Sequence, residues 1–231
     1  MYKFLRLIDN KIVSGYNNDF VWEIDKWYQA KGKLSICNNG FHCSEKPLDA
    51  LDYVAGEIIA EVQTDGESII DSNKQCWRKM KIVKAYNWTK KDSVALAIFS
   101  AELVLDIFEK QYPGDLRPRN AIKAAKKVLK NDNEKNRSAA GSAALAARSA
   151  AGSATLAAGS AWAAWSAAWS AIWSAESAAW AAESAAWAAA WSETWIAAES
   201  AARSAILDKI NTWIINHIKE LKIYKSNNVQ Q

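Results

Sequence analysis

Hydrophobic and polar positions follow three different rhythms along this chain. Up to Trp88 the rhythm is that of strands. Tyr2–Ile8 and Lys11–Ser14 flank Asp9-Asn10, a pair that suits a hairpin turn. Gly56–Gln63 is rich in Ile, Val and Ala and runs into Thr64-Asp65-Gly66, a second turn signal. Glu67–Ile70 and Met80–Trp88 read as further strands. Pro47–Val54 reads as a short helix, with proline where a first turn tolerates it. Residues 1–88 are therefore expected to form a small antiparallel sheet domain with one helix.

From Thr89 the period becomes helical. Thr89 and Asp92 have capping-box spacing, with Asp in the place usual for Glu. Val94, Ile98, Ala101, Leu105 and Phe108 then recur at steps of three and four. Tyr112-Pro113-Gly114-Asp115 ends this helix, and Pro118 opens the next, which carries Ile122, Ala125 and Leu129. Asn131–Asn136 is a polar break. Residues 89–136 thus read as a helical hairpin.

The third rhythm is a repeat. Arg137 opens RSAAGSAALAA and Arg148 opens RSAAGSATLAA. Eleven residues are close to three helical turns, so residues 137–225 are expected to be an Ala/Ser/Trp-rich helical segment. Gly141, Gly152 and Gly159 would mark helix ends or close helix contacts. A wider apolar face, Ile206, Ile210, Trp213, Ile214, Ile218 and Leu221, reads as an amphipathic packing helix. Residues 226–231 read as a disordered tail. The fold class expected is α+β, a sheet domain followed by an all-helical one.

Of 13 tryptophans, eight fall at 162, 165, 169, 173, 180, 187, 191 and 195. On a helix they share an arc of about 120°. One reading is a core stripe whose rings pack on the Ala faces of neighbouring helices or subunits. The other is an exposed platform. Trp162, Trp165, Trp169 and Trp173 are candidates for ligand or partner contact, and Trp180, Trp187, Trp191 and Trp195 for oligomer packing.

The net charge of +4 is too small to imply a nucleic-acid polymer. Three cysteines and no leader-like N-terminus suggest reduced thiols in a cytoplasm. No run has the apolar length of a membrane span. Cys37-Asn-Asn-Gly-Phe-His42-Cys43, with Cys76, is the densest group of reactive types. Its spacing is not that of paired zinc knuckles, and neighbours on a strand point to opposite faces. A strand-turn segment bent at Gly40 is the reading preferred, with no metal, cofactor or catalytic residue assigned. His42 remains a candidate for ligand contact. Arg117 and Arg119 flank Pro118 at a helix start, where they could hold an anion or simply form salt bridges.

Two resemblances add to this. Residues 1–88 resemble a domain of unknown function common in phage and bacterial proteins. The residues that carry it are Cys37, Gly40-Phe41-His42-Cys43, Pro47 to Tyr53, Glu61-Val62, Gly66 and Lys79 to Ile82. Residues 93–161 resemble a family of immunity proteins from bacterial toxin loci, through Phe108-Glu109, Tyr112-Pro113, Asp115, Arg117-Pro118-Arg119 and Ala121-Ile122. Together they imply a non-enzymatic accessory protein of phage type. It would act by binding a host defence factor, a toxin or an anionic nucleotide signal, and as a homo-oligomer. The alternatives are a self-assembling scaffold driven by the Trp-striped helices, and an enzyme housed in the N-terminal domain.

Overall fold

The computed structural model describes residues 1–16, 20–153, 158–172, 178, 181, 184–189 and 199–225. Trp173, Trp180, Trp191, Trp195 and the expected tail lie outside the described residues. The chain is α+β and divides into two compact units. Met1–Trp88 and the segment from Ile214 form one, and Thr89–Trp213 the other.

Among the described residues the first unit is built on seven strands. They are β1 (Tyr2–Ile8), β2 (Lys11–Val13), β3 (Val21–Trp22), β4 (Tyr28–Gln29), β5 (Phe41–Cys43), β6 (Ile58–Asp71) and β7 (Lys74–Asn87). Their order is β3-β2-β1-β6-β7-β4, with β5 also on β7. All these pairings are antiparallel. Asp9 and Asn10 both have positive φ, 48° and 57°, the turn geometry that matches the twist of the strands it joins.

Thr64-Asp65-Gly66 is not the expected turn. β6 and β7 form one long hairpin that reverses at Ser72-Asn73, and the register shifts between Asp65 and Ser68. Gly66, at φ 82°, takes up the extra residue as a bulge. A turn-rich tripeptide serves either purpose, and only the pairing of Glu67–Ile70 with β7 decides between them.

The sheet curls until it meets itself. After β5, Ser44 exchanges two backbone hydrogen bonds with Tyr2 of β1, at 2.8 and 3.0 Å. Side chains alternate across each strand. Leu5, Ile58, Ala60, Val62, Met80 and Ile82 face one buried cluster, against which Phe20, Tyr28 and Phe41 pack. Phe4, one residue along from Leu5, instead meets Trp88 edge-on at 5.6 Å. The α1 helix (Pro47–Leu51) joins β5 to β6. The C-terminal segment returns to this sheet: Asn87 donates to the Lys222 carbonyl and Tyr224 to that of Ala85, covering one end of β7.

The second unit contains α2 (Lys90–Glu102), α3 (Leu105–Gln111), α4 (Arg117–Lys130), α5 (Glu134–Ser153), α6 (Ala158–Ile172) and most of α7 (Glu199–Ile218). The capping box forms, with the Thr89 N–H donating to the Asp92 carboxylate at 2.7 Å. The run expected as one helix to Tyr112 is two. At Val104 the N–H bonds back to Ala101, three residues away, before α3 begins. The polar break is shorter than expected. Asn133 caps α5 by accepting the Asn136 N–H at 2.9 Å. Gly141 lies within α5, not at its end.

In α5 and α6 the buried positions are alanine and serine. Ala140, Ala144, Ala147 and Ala151 form the covered stripe of α5, while Leu145 is 56% exposed. In α6, Ala161, Ala163, Ala164, Ala167, Ala168 and Ala171 are buried with Ser166 and Ser170. Trp162 is 38% exposed, and Trp165 and Trp169 are half-buried. Trp162, Trp165 and Trp169 thus lie beside the buried face of α6. The reason is spatial: α6 packs against α2, α3, α4 and α5, and a helix covered on several sides has room only for small residues.

Ala164→Leu is therefore expected to destabilise the protein by about 1–3 kcal/mol through overpacking. Leu145→Ala, on the same unit's surface, should change stability by less than about 0.5 kcal/mol. Urea unfolding of both variants measures the contrast.

Candidate binding cavity

Beside the aromatic cluster of the curled sheet lies a cavity of about 640 Å³. That is within the range of small-molecule sites. One wall is aromatic. Phe20, Trp22 and Phe41 stand with ring centroids 5.0–5.6 Å apart in edge-on or tilted pairs. Trp22 is fixed by its indole N–H, which donates to the Ser14 hydroxyl at 3.0 Å. Tyr16 and Tyr53 line the cavity further out, and the Tyr16 hydroxyl donates to the Tyr53 carbonyl at 2.7 Å.

The other notable lining groups are cationic. Lys3 comes from β1, on the same side of the strand as Leu5. Its ammonium donates to the His42 carbonyl at 2.7 Å and lies 5.9 Å from the Trp22 ring. No salt bridge joins Lys3 to a carboxylate among the described residues, and burial lowers its pKa to about 8. Lys74, from β7, sits 4.1 Å from the Tyr53 ring centre and donates to the Cys37 sulfur at 2.9 Å. Partial desolvation lowers its pKa, but the Cys37 sulfur, Tyr53 and Asp71 together outweigh this and raise it. Among the described residues that line the cavity there is no Asp and no Glu.

His42 connects the two lysines. Its Nε2 accepts the backbone N–H of Cys37 at 3.0 Å, which requires an unprotonated nitrogen. Burial, then the nearby Lys3 and Lys74, lower its pKa to about 4. Cys37 has φ 63°, and the His42 bond holds that left-handed backbone in place. Gly40, at φ 123°, cannot carry a side chain: a Cβ there would lie 2.4 Å from the Cys76 sulfur and 2.9 Å from Leu34. Cys43 points away from His42. Its thiol approaches the Met1 sulfur at 3.8 Å, and burial pushes it up to about 12. Cys76 donates to the Asn39 carbonyl and is likewise raised by burial. Among the described residues no group of three His, Cys, Asp or Glu is placed to hold a metal.

The other residues singled out in the sequence lie elsewhere. Arg117 is held by Asp115, whose two oxygens take its Nε at 2.9 and 3.1 Å. Arg119 pairs with the Glu109 carboxylate. Both carboxyls are kept below their usual range by these partners. The two guanidinium groups are therefore already engaged by the chain itself, on α4 and in the second unit. Trp162, Trp165 and Trp169 contact one another along α6, with centroids 4.7 and 6.4 Å apart. Trp187 lies under the Arg203 guanidinium at 5.7 Å. His217 packs edge-on to Trp88 at 5.9 Å. Of the sequence candidates among the described residues, only His42 lines the cavity.

Lys3, Lys74, Trp22 and Phe20 belong to no motif in the sequence, and Phe41 stands in Gly40-Phe41-His42-Cys43, where no contact role attaches to it. One signal for Lys3 is present there. It shares its alternation phase with Leu5 and Leu7, so a charge stands on a face otherwise fit for the core. Nothing in the sequence ties Lys74, on a distant strand, to the same space.

A lysine- and aromatic-lined cavity in a curled antiparallel sheet is the class of site that this fold defines. Residues 3–91, which contain that sheet, match a domain of unknown function (DUF7666). No curated protein and no solved structure matches the chain. Among the described residues no helix is long and apolar enough to cross a membrane.

The neutral His42 makes a pH prediction. Between its ordinary value of 6.5 and about 4, the unfolded chain takes up a proton that the folded chain refuses. Stability contributed at neutral pH is thus lost as pH falls through that window. Urea unfolding of wild type and His42→Gln should show a stability difference that shrinks from pH 7 to pH 4. A difference independent of pH would show that His42 stays outside this linkage.

Proposed function

We propose that this is a non-enzymatic binding protein whose first unit sequesters a small anionic ligand with a flat ring, such as a nucleotide signal. One observation carries the reading: two lysines and several aromatic rings line a 640 Å³ cavity that contains no acidic side chain among the described residues. A ring can be held against Phe20, Trp22 and Phe41, and an anion by the ammonium groups. Neutral His42 adds an imidazole without adding a charge that would need a counter-ion. Sequestration of a signal or a toxin-derived nucleotide fits an accessory protein of phage type acting against a host defence. Arg117 and Arg119, with their own carboxylate partners, contribute less to this reading than Lys3 and Lys74.

A second reading rests on α6. Its small residues are covered while Trp162 remains 38% exposed, which favours a further role for the Trp stripe in self-association. Light scattering at micromolar concentration should then give a mass above the 25.6 kDa of one chain. A monomer removes this reading.

Isothermal titration with cyclic dinucleotides and nucleoside 5′-monophosphates tests the first. At least one should bind, and Lys3→Met should weaken it at least about tenfold, as for the loss of a charge-assisted hydrogen bond. No heat from any member of the panel overturns the nucleotide reading.

A further inference from the structure

The two cavity lysines are chemically unlike. Lys74 has a sulfur against its ammonium and a tyrosine ring beneath it, and it remains a cation. Lys3 has one carbonyl, from His42, and the edge of an aromatic cluster. The titratable groups that face it are the Cys43 and Cys76 thiols, which burial keeps protonated, and the neutral His42. Nothing there stabilises a positive charge strongly. Burial lowers the Lys3 pKa to about 8, which raises the share of free amine near neutral pH. The His42 carbonyl can only accept a hydrogen bond, so it orients the nitrogen without occupying its lone pair.

We infer that Lys3 is a covalent capture site for a carbonyl ligand, an aldehyde that also carries a ring and an anionic group, with the anion held by Lys74. The geometry of the cavity supplies all three requirements: an amine at the wall, a fixed cation beside the Tyr53 ring, and the aromatic surface of Trp22, Phe20 and Phe41. Desolvated lysines in apolar pockets are the ones that form Schiff bases. The nitrogen lone pair forms the new C–N bond while the carbonyl π pair moves to oxygen. The resulting carbinolamine loses water. Both amine protons leave in that water with the carbonyl oxygen, and a C=N bond remains. No oxidant or reductant is consumed. The inference rests on the cavity reading above, and its test separates the two.

The probe is pyridoxal 5′-phosphate, which has an aldehyde, a ring and a phosphate. The full chain is incubated with it, reduced with borohydride to fix any imine, and mapped by peptide mass spectrometry. Lys3 should be labelled at least tenfold faster than the exposed Lys110 and Lys209. Lys3→Arg should lose that label, and Lys74→Gln should slow it about tenfold. Pyridoxine 5′-phosphate, which has an alcohol in place of the aldehyde, should compete. Label confined to the Met1 α-amine or to surface lysines overturns the inference, as does labelling of Lys3 at the surface rate. Because the rate comparison is made within the wild-type chain, it stands even if a variant fails to fold. Nucleotide binding without Lys3 labelling sinks capture alone. Selective Lys3 labelling that pyridoxine 5′-phosphate competes with, together with a nucleotide panel without heat, sinks the nucleotide reading and leaves capture standing, whereas labelling that it does not compete with overturns the inference.

Discussion

The exchange of hydrogen bonds between Tyr2 and Ser44 is the contact on which the first unit turns. It brings the end of β5 back to the start of β1. β1 already pairs with β6, β6 with β7, and β7 with β5, so the strands form a closed circuit. Closure creates an inside, and alternation along each strand then assigns residues to it. Lys3 is assigned to that inside by the same phase that places Leu5 in the core. The half-buried Lys3, the cavity and the aromatic wall all follow from one closing contact. Backbone packing in this unit is close: a Cβ at Gly40 would lie 2.4 Å from the Cys76 sulfur, and one at Gly56 2.1 Å from the Leu5 carbonyl oxygen.

The interior is selective in its electrostatics. A buried ammonium without a carboxylate partner is costly, and its survival in a fold marks either a function or an extra hydrogen bond. Lys3 has one carbonyl and a ring face, less than its three donors could use. His42 answers in the same sense: burial first, and then the two lysines beside it, lower its pKa to about 4 and leave it neutral. The contrast with the second unit is sharp. There Arg117, Arg119, Arg137 and Lys126 each have a carboxylate partner, at or near the surface. Ion pairs of that kind fix local geometry and contribute little to stability.

The helical unit solves a different problem. Alanine gives little burial per residue, but it allows helices to approach closely and loses no side-chain entropy. The 11-residue repeat places Ala140 and Ala151 at equivalent positions, and both are buried. Trp162, Trp165 and Trp169 then cover the margin of α6, stacked edge to face along one side.

Several elements are legible from neighbouring residues alone. The hairpin at Asp9-Asn10, the Thr89–Asp92 box, proline at the start of α1 and α4, and the helical period of the repeat are local chemistry, written in residues within a few positions of one another. Other features are decided only by pairing over long distances. Whether Thr64-Asp65-Gly66 turns or bulges depends on where β7 lies. Which face of α6 is covered depends on how many helices surround it. The return of Lys222–Tyr224 to β7 joins two segments far apart in the chain. The candidate site belongs to this second kind. Lys3, Trp22, His42 and Lys74 come from different strands, and no local rule links their spacing. The sequence determined the elements because backbone preference is local. The tertiary structure decided the cavity because burial, and the change in a lysine's chemistry that comes with it, depends on everything that closes around the side chain.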